Sequence, residues 1–84
     1  MSRAQNLLRH ARVLKDEKVR REIVDAMNNF APAGYLPRPL SYHASTRELA
    51  LLNREKVIDA LHKVYRAWGT VAARDIAEEL EREP

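Results

Sequence analysis

Apolar residues recur along this chain at three- and four-residue intervals and nowhere at every second position, so the pattern predicts helices and no strands. The broadest apolar face is Val57, Ile58, Leu61, Val64, Tyr65 and Trp68, on a predicted helix over 54–68. Asn53 stands where an N-cap is needed, and Gly69 where the chain must leave the helix through left-handed backbone. A last helix is predicted over 72–81, with Ala73, Ile76, Ala77 and Leu80 turned inward. Before these, Ser45 and Glu48 form a capping box for a helix over 46–52 that carries Leu49 and Leu52.

The first third reads the same way. Ser2 and Gln5 make a capping box for a helix over 3–14, with Leu7, Leu8, Ala11 and Leu14 on one side. Asp16 can cap a second helix over 17–29, in which Val19, Ile23, Met27 and Phe30 recur at helical spacing. Only Lys15 separates the two, so one kinked helix is the alternative. Between 31 and 44 the pattern stops. Pro32, Pro37, Pro39 and Gly34 forbid a continuous helix there, and each residue before a proline is pushed toward extended geometry. A loop this long in a small domain usually wraps a surface or carries function. Tyr35, Leu36, Leu40 and Tyr42 give it the means to pack. The expected fold is therefore all-α: one domain over 1–84, a small bundle of four to five helices with a central proline-rich loop.

Composition narrows the class. At 84 residues with 45% hydrophobic content the chain can fold, but with little core to spare, and the absence of cysteine removes disulfides and thiolate zinc sites as staples. Dimerisation is the remaining way to bury more surface. No apolar run approaches the ~20 residues of a membrane span. The N-terminus lacks a signal-peptide core, so a cytoplasmic location without membrane contact is expected. Net charge is +3 and unevenly spread. Basic residues dominate 1–40, whereas Asp75, Glu78, Glu79, Glu81 and Glu83 make the C-terminal end acidic.

Residues 54–80 carry a more specific signal. A long amphipathic helix is followed by Gly69, the β-branched pair Thr70–Val71, and then Ala72-Ala73-Arg74-Asp75-Ile76-Ala77 running to Leu80. That order resembles the first two helices of a winged-helix or helix-turn-helix DNA-binding domain. The resemblance implies a sharp exit at Gly69 and a close helix crossing at Ala77. This sequence departs from the family in placing Ala72 where a Ser or Thr N-cap is usual, so Thr70 would have to cap from further out. Residues 81–84 supply neither recognition helix nor wing. In that family the next helix reads the major groove; here base contact would come from elsewhere, with the helix of Lys18-Val19-Arg20-Arg21 the expected source.

The candidate DNA-binding residues are Arg9, Arg12, Lys18, Arg20, Arg21 and Arg38, since Arg9 with Arg12 and Lys18 with Arg21 each project from one flank at i, i+3. Asp16, Glu17, Glu22 and Asp25 interleave with them, as on an ordinary solvated helix face. His10, His43 and His62 are scattered with no partner at ligand or triad spacing, and no glycine-rich phosphate loop is present. Neither an enzyme, a metal nor a cofactor is expected. Trp68 and Tyr65 read as core. The leading expectation is a small DNA-binding or transcription-regulatory protein, dimeric through Leu52, Leu61 or Tyr65. The alternative is a helical adaptor or inhibitor that engages another protein through the 49–68 face or through Tyr35 and Tyr42.

Overall fold

Asp16 adopts extended backbone, and its carboxylate accepts hydrogen bonds from the N–H groups of Lys18 (2.9 Å) and Val19 (3.4 Å). That cap opens helix α1 (Glu17–Phe30). Ser45 accepts from the Glu48 N–H at 3.1 Å and opens the short α2 (Thr46–Ala50). Asn53 accepts from the Lys56 N–H at 3.1 Å and opens α3 (Arg54–Trp68), which Gly69 ends at φ 70°. Helix α4 (Val71–Arg82) follows after two residues; Thr70 occupies its N-cap position but makes no side-chain cap bond. A computed structural model places these elements and describes residues 7, 8 and 12–83. Over those residues the fold is all-α, with four α-helices and a 3-10 turn at Arg12–Lys15.

The N-terminal segment departs from expectation where it is described. Leu7 forms an isolated antiparallel bridge with Asn53, and the Leu8 N–H donates to the Leu52 carbonyl at 3.1 Å. Those residues pair with a distant segment instead of continuing a helix, and Arg12–Lys15 winds as 3-10. The Ser2–Gln5 capping box, Arg9, His10 and Ala11 lie outside the described residues. Helix α2 ends two residues earlier than the pattern predicts: Leu51 and Leu52 close i, i−3 bonds onto Glu48 and Leu49, Asn53 turns extended to cap α3, and the Leu52 carbonyl is left to accept from Leu8.

Helix α3 packs most extensively on α4 and next on α1, while the 3-10 turn closes over α1 and α2. Ala73 and Ala77, fully buried on α4, let the two backbones approach closely. Leu8, Leu14, Ile23, Met27, Leu49, Leu61 and Leu80 fill the shared core. The radius of gyration is 11.6 Å, close to the ~12 Å of a folded chain this long.

Trp68 is a correction. It continues the α3 stripe but is 58% exposed. Its ring meets Phe30 at the end of α1, centroids 5.2 Å apart and planes tilted by 60°. The stripe outruns the core: α1 stops at Phe30 and α4 starts three residues after Trp68, so no further element among the described residues covers the indole.

The proline-rich segment is fastened at several points. Asn28 grips Leu40 through both its groups, Nδ2 donating to the Leu40 carbonyl (2.9 Å) and Oδ1 accepting its N–H (2.7 Å). The Tyr35 hydroxyl accepts the Asn53 N–H at 2.8 Å, and the Tyr35 N–H closes a turn onto Pro32 at 3.0 Å. A second turn, Ala44 N–H to Ser41 carbonyl at 3.0 Å, carries Tyr42.

Candidate nucleic-acid interface

The predicted cations divide into three groups. Lys18 and Arg21 are exposed on the first two turns of α1, and Arg12 is exposed on the preceding 3-10 turn. Arg20 is withdrawn, half-buried with Nη1 donating to the Leu14 carbonyl at 2.6 Å. It satisfies a carbonyl that the 3-10 turn leaves open, so its expected place on a phosphate surface is corrected. Arg38 is exposed on the loop, beside Leu36, Pro37 and Pro39, in hollows that share no lining residue with the one holding Lys18 and Arg21. Lys15 is exposed and belongs with the first group. Its signal was present, because Arg12, Lys15, Lys18 and Arg21 fall at a strict three-residue spacing. Extended Asp16 divides them into two cationic pairs on consecutive elements.

Ion pairing sharpens the contrast between the halves. Among the described residues, Lys63–Asp59 (3.0 Å), Arg74–Asp75 (3.3 Å) and Arg82–Glu79 (2.8 Å) form ion pairs on α3 and α4, and His62 lies 3.6 Å from Glu81, paired as ions only when the imidazole is protonated. Arg12, Lys15, Lys18 and Arg21 take part in none. The outer face of α4, in contrast, exposes Asp75, Glu78, Glu79 and Glu81. Such a face repels phosphate and cannot serve as a groove-reading helix.

Lys18, Arg21, Glu22, Asp25 and Tyr42 line one open hollow of about 350 Å³. The Arg21 guanidinium lies over the Tyr42 ring, 5.2 Å from its centroid, and the Tyr42 hydroxyl donates to Asp25 Oδ1. That hydrogen bond, with smaller contributions from desolvation and from the Asp25 charge, raises the Tyr42 pKa above its ordinary value of about 10. A raised folded-state value means that the Asp25 contact stabilises the fold below the unfolded pKa and is lost as pH rises through the folded one. In an alkaline titration followed by phenolate absorbance, the transition that disappears in Tyr42→Phe is therefore expected above pH ~10. If the transition that disappears lies at or below that value, the Asp25 tie is absent in solution.

Comparison with protein-family models, with curated proteins and with solved structures finds no match for this chain. The residues expected to bind a partner largely serve the fold. Leu52 and Leu61 are buried in the core, so the predicted dimer contact through them is corrected. Their apolar face is covered within one chain by α4 and by the N-terminal segment. Tyr35 anchors the loop, with its hydroxyl on Asn53 and the Lys56 ammonium 5.6 Å from its ring centroid. Tyr65 is half-buried under the Arg74 guanidinium, 5.1 Å from the ring centroid. Only Tyr42, at 53% exposure, stays open. Among the described residues the exposed large apolar groups besides it are Leu51, Val71 and Trp68. His43 is exposed and His62 half-buried, and no group of three or more potential ligands among the described residues could hold a metal ion. No helix among them is long and apolar enough to cross a membrane.

Proposed function

We propose that this chain is a small nucleic-acid-binding protein of the DNA-binding or transcription-regulatory kind, meeting phosphates with Arg12, Lys15, Lys18 and Arg21. The observation that carries the reading is the segregation of charge. Lys63, Arg74 and Arg82 on α3 and α4 each meet a local carboxylate, though Lys56 and Arg66 on α3 do not, whereas all four cations around the start of α1 stand outside the ion pairs of the described residues. A cation outside an ion pair can exchange its counterions for phosphates at little cost. If four cations each replace a condensed counterion, log K for duplex DNA should fall with log salt at a slope of about −3 to −4. A flat salt response, or no binding of either duplex or single-stranded nucleic acid at low salt, rules the reading out.

A second reading rests on a different observation. The Phe30–Trp68 pair, with exposed Val71 just beyond the corner, presents aromatic surface where a monomer has no need of it. Aromatic anchors of this kind dominate protein interfaces. An adaptor or inhibitor, or a chain that pairs with a second copy of itself, would dock here and not at Leu52 or Leu61. Concentration-dependent sedimentation abolished by Trp68→Ala would favour self-association at this corner.

A further inference from the structure

The Tyr42 hollow combines features that the phosphate contacts alone leave unused. Its ring is half-exposed yet held in one orientation from two sides, by Asp25 at the hydroxyl and by Arg21 over a face. The turn that carries it is fastened to α1 by the Asn28–Leu40 pair two residues earlier. A rigid aromatic loses little entropy on receiving a flat ligand. The hollow is electrically mixed, with Lys18 and Arg21 facing Glu22 and Asp25. Glu22 and Asp25 oppose entry of a phosphate, but a neutral base can donate to them through a ring imide N–H, as in thymine and uracil, or an exocyclic amine. Lys18 and Arg21, on the same hollow, are the groups available to the strand's phosphates.

The surrounding structure disfavours a duplex at this place. Helix α1 cannot lie in a groove along its length, because the loop crosses its C-terminal half at Asn28 and Asp25. The exposed face of α4 is acidic. A single strand needs no inserted helix; it requires a stacking surface beside cations.

We propose that the Tyr42 hollow receives an unpaired base of a single-stranded nucleic acid, with Lys18 and Arg21 on the flanking phosphates. The inference rests on the nucleic-acid reading above and names the strand state that this site takes. DNA and RNA share the chemistry, and the test separates them.

Fluorescence anisotropy would compare labelled oligo-dT, oligo-U and a mixed-sequence duplex of equal phosphate number, using the full chain at low salt. Single strands are expected to bind more tightly than the duplex, and whichever of oligo-dT and oligo-U binds better identifies the source. Tyr42→Leu is expected to weaken the single strand by roughly tenfold, within the range of removing one base–aromatic stack, and to leave the duplex unchanged. Tyr42→Phe, which keeps the ring, is expected to retain most of the affinity. In the unaltered protein the Tyr42 ring proton resonances should move upfield on titration with oligo-dT, a readout that survives if Tyr42→Leu folds poorly. Duplex binding equal to or tighter than single-strand binding overturns the inference while leaving the nucleic-acid reading standing. So does an unaltered ring spectrum in a complex that forms. Absence of binding to all three probes removes both.

Discussion

Truncating Leu61 to alanine is expected to lower the melting temperature by at least about 10 °C, whereas Trp68→Ala should move it by only a few degrees. Leu61 is 0% exposed at the centre of α3, where α1 and α4 both pack, and removing such a side chain costs about 2–5 kcal/mol in transfer and cavity terms together. A domain of this length holds about 4–12 kcal/mol in all. The loss therefore ranges from a large part of the stability to most of it. Trp68, though larger, has most of its surface in water and one aromatic neighbour, and such a pair contributes about 0.5–1.5 kcal/mol. Thermal denaturation of the two variants side by side tests the ordering. A collapsed Trp68→Ala protein beside a stable Leu61→Ala protein would mean that the core lies at the other end of α3.

The contrast shows what hydrophobic periodicity carries and what it omits. Helix α3 is legible to the residue because its limits are local: an Asn53 cap at one end and a left-handed Gly69 at the other. Asp16 sets α1 in the same way. Periodicity also names Ala73, Ile76, Ala77 and Leu80 as the inner face of α4, and all four are buried. It cannot say how far along α3 the core extends, since that depends on where α1 and α4 end in space. Trp68 therefore reads as core in the sequence and stands in solvent in the fold. The Leu8–Leu52 hydrogen bond joins residues far apart in sequence and leaves no local trace, so the pattern predicts a helix where the chain instead runs beside Asn53. Leu52 and Leu61 read as a surplus for a second copy to cover, because periodicity does not reveal the reach of α4 and of the N-terminal segment over them.

The candidate site is legible in part. The spacing of Arg12, Lys18 and Arg21 points to the start of α1, and the same spacing contains Lys15. Arg20 looks equivalent to Arg21, its neighbour, until the 3-10 turn places the Leu14 carbonyl within its reach. Tyr42 joins Lys18 and Arg21 only because Asn28 recognises the backbone of Leu40, an interaction across twelve residues of proline-rich chain that no pattern encodes.

Reversing Lys18 and Arg21 together to glutamate is expected to abolish nucleic-acid binding at physiological salt while leaving helical circular dichroism intact. Each reversal removes one phosphate-binding group and adds a repulsion, so about four units of charge change in a cluster where Glu22 and Asp25 are already present. The fold has little reason to respond. Both residues are exposed and outside the ion pairs of the described residues, and a glutamate at position 18 sits in the first turn of α1, where negative charge is favoured by the helix dipole. The reversal also takes the Arg21 guanidinium off the Tyr42 ring, an attraction worth about 0.5–1 kcal/mol at an exposed site. Arg20→Glu provides the opposite control. It places a carboxylate against the Leu14 carbonyl and removes a hydrogen bond from a charged donor, about 1.5–3 kcal/mol, so it should lower the melting temperature measurably. Arg38→Glu, in separate hollows on the loop, should reduce affinity far less than the double reversal. Binding that survives the double reversal with an unchanged salt slope, or that is abolished equally by Arg38→Glu, would move the phosphate surface away from α1.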